Sequence, residues 1–270
     1  SATVGNVDLA GNPRFFNSGT VDIGAYEYQG TAVAQPTASA STTTPNVCVG
    51  NTINLSASGG SNFSWTGPSG SNFSSTEQTP SLSSTSTAFG GIYTVSVSNA
   101  NCPLTATATV SVQVNTLPSI SVTPPNAQCG GTIDLSTAFP TNGTLTFFTD
   151  SGFSSSAANP VSSSGTYYAK ASLGSCTNSA SVIVTINPLP SISVTTPAAQ
   201  CGGTINLNTV FSSNASLSYF TDSGFSSAAA NPVSSGGPYY ATAINATTSC
   251  SVTASVSLTI NTSATISVTP

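Results

Sequence analysis

In several segments of the chain, apolar residues alternate with Ser, Thr, Asn or Gln, so that every second position there is apolar. Residues 53–57, 93–97 and 110–114 show this alternation without interruption. A period of two places the apolar side chains on one face of a β-strand and the polar ones on the other. The same alternation relates Phe63 and Trp65, Ile133 and Leu135, Leu145 and Phe147, Tyr167 and Ala169, and Val182, Val184 and Ile186. The pattern predicts an all-β chain of antiparallel β-sandwiches with almost no helix.

One polar stretch occurs twice, as FFTDSGFSSSAANPV at 147–161 and as YFTDSGFSSAAANPV at 219–233. Residues 117–173 and 189–245 are identical at 40 of 57 aligned positions. A more divergent relative precedes them, since CVGNTINL and GIYTVSV parallel CGGTIDL and GTYYAKA. Such self-similarity is typical of tandem modules. It predicts module 1 with an N-terminal linker at 31–116, module 2 at 117–188, module 3 at 189–262 and the start of a further module at 263–270.

Charged residues make up only 3% of the chain, and the formal net charge is −5. With Arg14 and Lys170 as the only basic residues, nucleic acid is not expected as a partner. No apolar run approaches the roughly 18 residues of a membrane span, so direct membrane insertion is not expected either.

The chain contains no His, which removes the commonest general base and metal ligand together. Nucleophilic catalysis of the Ser-His-Asp or Cys-His kind is therefore impossible within this chain. The sequence assigns no catalytic residue and no cofactor, and we expect no enzymatic activity.

Six cysteines, at 48, 102, 129, 176, 201 and 250, are regularly spaced and form no CxxC pair. This spacing favours disulfides over zinc and indicates an exported protein. We expect one bond per module, Cys48–Cys102, Cys129–Cys176 and Cys201–Cys250. Within a standard sandwich these partners lie at opposite ends, whereas bridged Cα atoms must approach within about 7 Å. Bonds between neighbouring modules, Cys48–Cys176 and Cys129–Cys250, therefore remain an open alternative.

Asp150 and Asp222, in the repeated TDSG, are weak candidates for binding calcium. Calcium takes about six to eight oxygen ligands, and each module offers a single nearby acid, so no metal site is predicted. Asp is also a preferred first residue of a turn, and we favour that role. Six aromatic residues could stack on a sugar, namely Phe148, Phe153, Tyr168, Phe220, Phe225 and Tyr240.

The motifs CVGNTINLSA, FSWTGPSG, GIYTVSV and NANCPL resemble those of bacterial immunoglobulin-like domains in large secreted surface proteins, and the resemblance covers roughly 45–262. It implies a core position for Trp65, which is replaced by Phe147 and Tyr219 in the later modules. It also places Tyr93, Tyr167 and Tyr239 at the tyrosine corner of the fold.

Residues 7–30, VDLAGNPRFFNSGTVDIGAYEYQG, resemble the terminal motif of right-handed parallel β-helix domains. The resemblance implies that residues 1–30 end such a domain and that export uses the type IX secretion system. Both resemblances imply a non-catalytic stalk of an extracellular bacterial adhesin or surface filament, with other copies or further modules as partners. The alternative is a spacer or carbohydrate-binding module of a secreted enzyme that acts on extracellular polysaccharide.

Overall fold

The computed structural model of this chain describes residues 35–100 and 102–262, and two short strands nearer the N-terminus. These strands, β1 (Phe15–Phe16) and β2 (Thr20–Val21), pair antiparallel. The β-helix motif at 7–30 otherwise lies outside the described residues, as does the start of a further module at 263–270.

The first sandwich consists of two sheets built from residues 39–115. Its strands are β3 (Ser39–Thr42), β4 (Asn46–Cys48), β5 (Thr52–Ser58), β6 (Asn62–Thr66), β7 (Ser74–Ser75), β8 (Ser81–Ser83), β9 (Gly91–Asn99) and β10 (Cys102–Asn115), with a 3-10 turn at Thr87–Phe89. One sheet has the order β3-β5-β8 and the other β4-β10-β9-β6-β7. Strand β4 runs parallel to β10, whereas β9 is antiparallel to both β6 and β10. This is the strand order of an immunoglobulin-like sandwich.

The core of the first sandwich follows the alternation along its strands. In β5, Ile53, Leu55 and Ala57 are buried while the residues between them face outward. Trp65 of β6 is fully buried, and its indole N–H donates a hydrogen bond to the Glu77 carbonyl at 3.1 Å. A Trp that fills the core and satisfies its polar atom contributes a large buried area at no hydrogen-bonding cost.

The second and third sandwiches share one plan. The second contains β11 (Gln128–Cys129), α1 (Leu135–Ala138), β12 (Thr144–Phe148), β13 (Gly165–Leu173), β14 (Cys176–Val184) and β15 (Ile186–Asn187). The third contains β16 (Ile192–Val194), β17 (Gln200–Cys201), α2 (Leu207–Val210), β18 (Phe211–Ser213), β19 (Ser216–Phe220), β20 (Gly237–Ile244), β21 (Ser251–Leu258) and β22 (Ile260–Asn261). Each has a three-stranded antiparallel sheet, β12-β13-β14 or β19-β20-β21, and its own hydrophobic cluster. The all-β prediction is confirmed.

The expectation that Ile133 and Leu135 share one strand is wrong, because Leu135 begins helix α1. The Asp134 carboxylate accepts a hydrogen bond from the Ser136 backbone N–H at 2.8 Å and so caps that helix. In the third sandwich Asn206 caps α2 in the same way, through the Asn208 N–H. Side chains of this type stabilise a helix start and compete with strand pairing.

The described chain divides into two compact units. The first runs to Leu117 and also includes Gly174–Cys176, and the second takes in Pro118–Leu173 and the chain from Thr177 onward. The first sandwich therefore lies in the first unit, and the second and third sandwiches lie in the second unit, except for Gly174–Cys176 of the second sandwich. Among the described residues no helix is long and apolar enough to cross a membrane.

Candidate functional site

Two disulfides join cysteines that are far apart in the sequence. Cys48 is bonded to Cys176 with a Cα–Cα distance of 5.7 Å, and Cys129 is bonded to Cys250 at 5.4 Å. Cys201 is an exposed free thiol. The expected pairs Cys48–Cys102, Cys129–Cys176 and Cys201–Cys250 are therefore wrong, and the bonds follow the alternative between neighbouring modules. The side chain of Cys102 lies outside the described residues.

Strand length explains why Cys129 does not bond to Cys176. Cys129 lies beside Asn187, at the end of β15, whereas Cys176 begins β14. At about 3.3 Å per residue, the eleven steps from Cys176 to Asn187 span on the order of 35 Å of strand. That separation far exceeds the distance that a disulfide can bridge.

The bond from Cys129 lies where the second sandwich passes into the third. The next residue, Gly130, has a φ of +60° and donates its N–H to the Asn187 carbonyl at 2.8 Å. A Cβ at Gly130 would come within 3.1 Å of the Leu189 side chain, which belongs to the connection that follows β15. Glycine accommodates both the left-handed backbone and this close approach.

Cys250 immediately precedes the second strand of the hairpin β20–β21. The Asn245 side chain accepts hydrogen bonds from the N–H groups of Thr247 and Thr248, at 3.0 and 3.2 Å. The Asn245 backbone N–H donates to the Cys250 carbonyl at 2.9 Å. These bonds hold the hairpin tip in one conformation, and the Cys250 side chain is completely buried.

The Asp150 carboxylate is occupied by hydrogen bonds from its own turn. It accepts backbone N–H groups from Gly152 at 2.9 Å, from Ser154 at 3.2 Å and from Ser155 at 2.6 Å. Hydrogen bonds to the Ser155 and Ser154 N–H groups hold the pKa of Asp150 below its usual value, because they stabilise the charged form.

Asp222 has the same role in the third sandwich, where Ser226 and Ser227 lower its pKa. Within the described ranges, no group of three His, Cys, Asp or Glu residues is placed to hold a metal ion. Both carboxylates accept hydrogen bonds from the backbone of their own turns.

The aromatic residues around these turns contact one another. Phe153 has a φ of +56°, and its ring packs edge-on against Phe148 with centroids 5.4 Å apart. Phe225 has the same φ and packs on Phe220 at 5.5 Å. A bulky residue rarely adopts this backbone, so the two matching turns indicate a structural requirement shared by both copies.

The remaining positions singled out in the sequence lie in or beside the cores. Tyr93 is fully buried, and its hydroxyl donates to the Phe89 carbonyl at 2.7 Å. Tyr167 and Tyr239 donate likewise to the carbonyls of Ser163 and Ser235, at 3.0 and 2.8 Å. These are the hydrogen bonds of a tyrosine corner.

Phe147 and Tyr219 are half-buried and pack against Phe139 and Phe211, with centroids 6.3 and 5.8 Å apart. Phe139 and Phe211 are almost completely buried, and sequence reasoning missed them. Both copies have Phe at this equivalent position, and this recurrence could have indicated that the position is buried. They follow the short helices, so they did not fit a strand period.

No family model matches the chain, and no curated protein matches it. Among solved structures, the chain is similar to a three-domain titin fragment, I67–I69 in an E-to-A variant. The two are 13% identical, and the alignment covers 85% of this chain and 100% of the titin chain, with a TM-score of 0.46. It is also similar to Sidekick-1 immunoglobulin domains 1–5, with 15% identity, 86% and 60% covered, and a TM-score of 0.31. Three N-terminal domains of the bacteriophage RB49 capsid protein Hoc give 12% identity, 85% and 99% covered, and a TM-score of 0.32. Because these three TM-scores are low, the assignment of an immunoglobulin-like fold rests on the strand order and the tyrosine hydrogen bonds described above.

Proposed function

We propose that the chain is a non-catalytic stalk segment of a large extracellular bacterial adhesin or surface filament. Modules at 31–116, 117–188 and 189–262 form the stalk, after a β-helix domain that ends at residue 30 and before a further module from 263. The Cys129–Cys250 bond carries the proposal, because it ties the end of one sandwich to the hairpin tip of the next.

A bond at that position serves a mechanical role better than a catalytic one. It restrains the connection between two sandwiches without shaping a cleft. Disulfides persist in oxidising compartments, which supports an extracellular location. Export by the type IX system and partners in the form of other copies or further modules belong to the same proposal.

The two disulfides overlap along the chain, so they restrain it together. The loop closed by Cys48–Cys176 contains Cys129, and the loop closed by Cys129–Cys250 contains Cys176. Under tension, the shortest covalent path from Cys48 to Cys250 crosses one bond to Cys176, returns to Cys129 and crosses the second bond. That path spans the 47 residue steps between positions 129 and 176, whereas 202 steps separate Cys48 from Cys250 along the chain.

Single-molecule stretching of the full chain, tethered at its two ends, tests this proposal. At about 3.5 Å per residue, the segment from Cys48 to Cys250 extends by at most about 170 Å when oxidised and about 700 Å when reduced. A reducing buffer should therefore lengthen the unfolded chain by about 500 Å. An equal unfolded length in both buffers would overturn the proposal.

A second candidate function is that of a carbohydrate-binding spacer attached to a polysaccharide-acting enzyme. The observation that favours it is the aromatic cluster in each later sandwich, where Phe225 lies 6.1 Å from Tyr240 and Phe153 lies beneath the Lys170 ammonium at 6.0 Å. Rings and a cation beside them suit sugar stacking. These residues are half-buried, so a flat exposed platform is lacking.

Titration with soluble polysaccharides separates the two candidates. A carbohydrate-binding module predicts saturable binding that Phe153→Ala with Phe225→Ala abolishes. The stalk predicts no binding that depends on these two residues. The matched control is Phe63→Ala, which alters a half-buried ring in the first sandwich.

A further inference from the structure

Cys48, Cys129 and Cys201, here called the end cysteines, have the same backbone placement. Each is the last residue of a short strand and lies opposite the closing Asn of its sandwich in a parallel pairing. The pairs are Cys48 with Asn115, Cys129 with Asn187 and Cys201 with Asn261. The residue after each end cysteine donates its N–H to that Asn carbonyl, at 2.9, 2.8 and 2.8 Å in order. All three sandwiches therefore have a cysteine at one equivalent backbone position.

Cys102, Cys176 and Cys250, here called the tip cysteines, lie at the start of the second strand of a hairpin. Cys102 begins β10, Cys176 begins β14, and Cys250 directly precedes β21. Both bonds in the structure join an end cysteine to the tip cysteine of the following module. Cys176 and Cys250 are both completely buried in these bonds, so the two disulfides have the same arrangement.

Cys201 is the end cysteine whose thiol is free and exposed. The sequence after its partner Asn261 reads NTSATISVTP, and the sequence after Asn115 reads NTLPSISVTP. The two stretches are identical at seven of ten positions, so the first closely resembles the connection that leads into module 2. We propose that Cys201 forms a disulfide with the tip cysteine of a further immunoglobulin-like module that follows in the same polypeptide. The inference rests on the proposed stalk, since it requires the array to continue.

The reaction is a thiol–disulfide exchange with a disulfide oxidant, such as oxidised glutathione or an oxidised dithiol protein. One cysteine thiolate attacks the oxidant, forms a mixed disulfide and releases one thiol. The second cysteine thiolate then attacks the mixed disulfide and releases the other thiol. Two cysteines lose two protons and two electrons, and the oxidant is reduced to two thiols. Exposure of Cys201 makes its sulfur accessible for either step.

A lengthened chain provides the test. Residues 1–262 are followed by a second copy of 189–262, so that the new connection reads NTLPSIS as at 115–121. In the copy, Ser251→Thr marks the peptide that carries the copied tip cysteine. The protein is oxidised in glutathione buffer and digested with pepsin, because two basic residues give trypsin too few sites. A peptide that links Cys201 to the marked tip is the expected product.

Counting reactive thiols gives a second readout, because Cys201→Ser changes the count in opposite directions depending on whether the bond forms. If the bond forms, Cys201→Ser in the lengthened chain frees the copied tip cysteine and adds one reactive thiol. If Cys201 stays reduced, the same substitution removes one reactive thiol and the inference fails. Covalent multimers that link Cys201 to Cys102 of a second copy would also overturn the assignment within one polypeptide.

The outcome is separable from that of the stalk proposal. A free Cys201 beside intact Cys48–Cys176 and Cys129–Cys250 bonds removes this inference and leaves the stalk standing. Absence of the Cys129–Cys250 peptide from the native chain would remove both.

Discussion

Cys129 and Cys250 are 121 residues apart and belong to different sandwiches, yet a disulfide brings their Cα atoms to 5.4 Å. Cys129 lies at the closing end of the second sandwich, and Cys250 lies at a hairpin tip of the third. The bond therefore belongs to the connection between two sandwiches and crosses neither core.

Removing this bond should destabilise the unit that contains both sandwiches. The double variant Cys129→Ser with Cys250→Ser should lower its free energy of unfolding by about 2–5 kcal/mol, because a long loop regains freedom in the unfolded chain. Urea unfolding followed by circular dichroism measures the change. Cys201→Ser is the matched control and should change the free energy little, since that thiol forms no bond among the described residues. Equal losses in the two variants would contradict the prediction.

Trp65→Ala should destabilise the first sandwich by about 3–5 kcal/mol, since a fully buried Trp leaves a large cavity. Trp65→Phe should cost less, because it keeps an aromatic ring in the core. Hydrogen exchange of buried amides measures the loss in each sandwich separately. Amides of β13 and β20 should keep their protection, because their own clusters do not include Trp65. A similar loss of protection there would show that the sandwiches are not independent.

Tyr93→Phe should cost about 1–3 kcal/mol, because it leaves the Phe89 carbonyl without the hydroxyl that donates to it at 2.7 Å. Burial also raises the pKa of Tyr93, so the hydroxyl stays protonated well into alkaline solution. Tyr168→Phe is the control, since its hydroxyl has no hydrogen bond within the part of the chain that the structure describes. Chemical denaturation of both variants measures the change in stability, and equal unfolding midpoints would refute a stabilising role for the Tyr93 hydrogen bond.

Acid should weaken the second sandwich more than the third. Hydrogen bonds lower the pKa of Asp134, through Asn159 and Ser136, and of Asp150, through Ser155 and Ser154. A lowered carboxyl pKa stabilises the fold above the pKa of the unfolded chain, and that stability is lost as the pH falls through the folded pKa. The loss should therefore begin below about pH 4, the range of an unperturbed Asp.

The third sandwich provides the internal comparison, because Asn206 replaces Asp134 there and only Asp222 has a lowered pKa. As the pH is lowered from 5 to 2, backbone amides around α1 should lose their protection from hydrogen exchange at a higher pH than amides around α2. Asp134→Asn should reduce the difference. Equal acid sensitivity in the two sandwiches would contradict the assignment of these carboxylates.

The alternation of apolar and polar positions determined the strands and much of the core. A period of two specifies which side chains share a face, and Tyr93, Val95 and Val97 are all buried along β9. The repeat likewise indicated which positions of the second and third sandwiches correspond. The alternation did not predict helix α1. The capping carboxylate of Asp134 favours a helix start there more strongly than two alternating apolar residues favour a strand.

The disulfides were decided by the tertiary structure. The module repeat favours a partner within the same module, which for Cys129 is Cys176, but a strand of about eleven residues carries that partner to the far end of the same sandwich. Cys250 is more distant in sequence and reaches Cys129 because the next sandwich follows directly and its hairpin tip returns to the connection. Local pattern encodes which way a side chain faces. Only the packing of successive sandwiches brings two distant thiols within bonding distance.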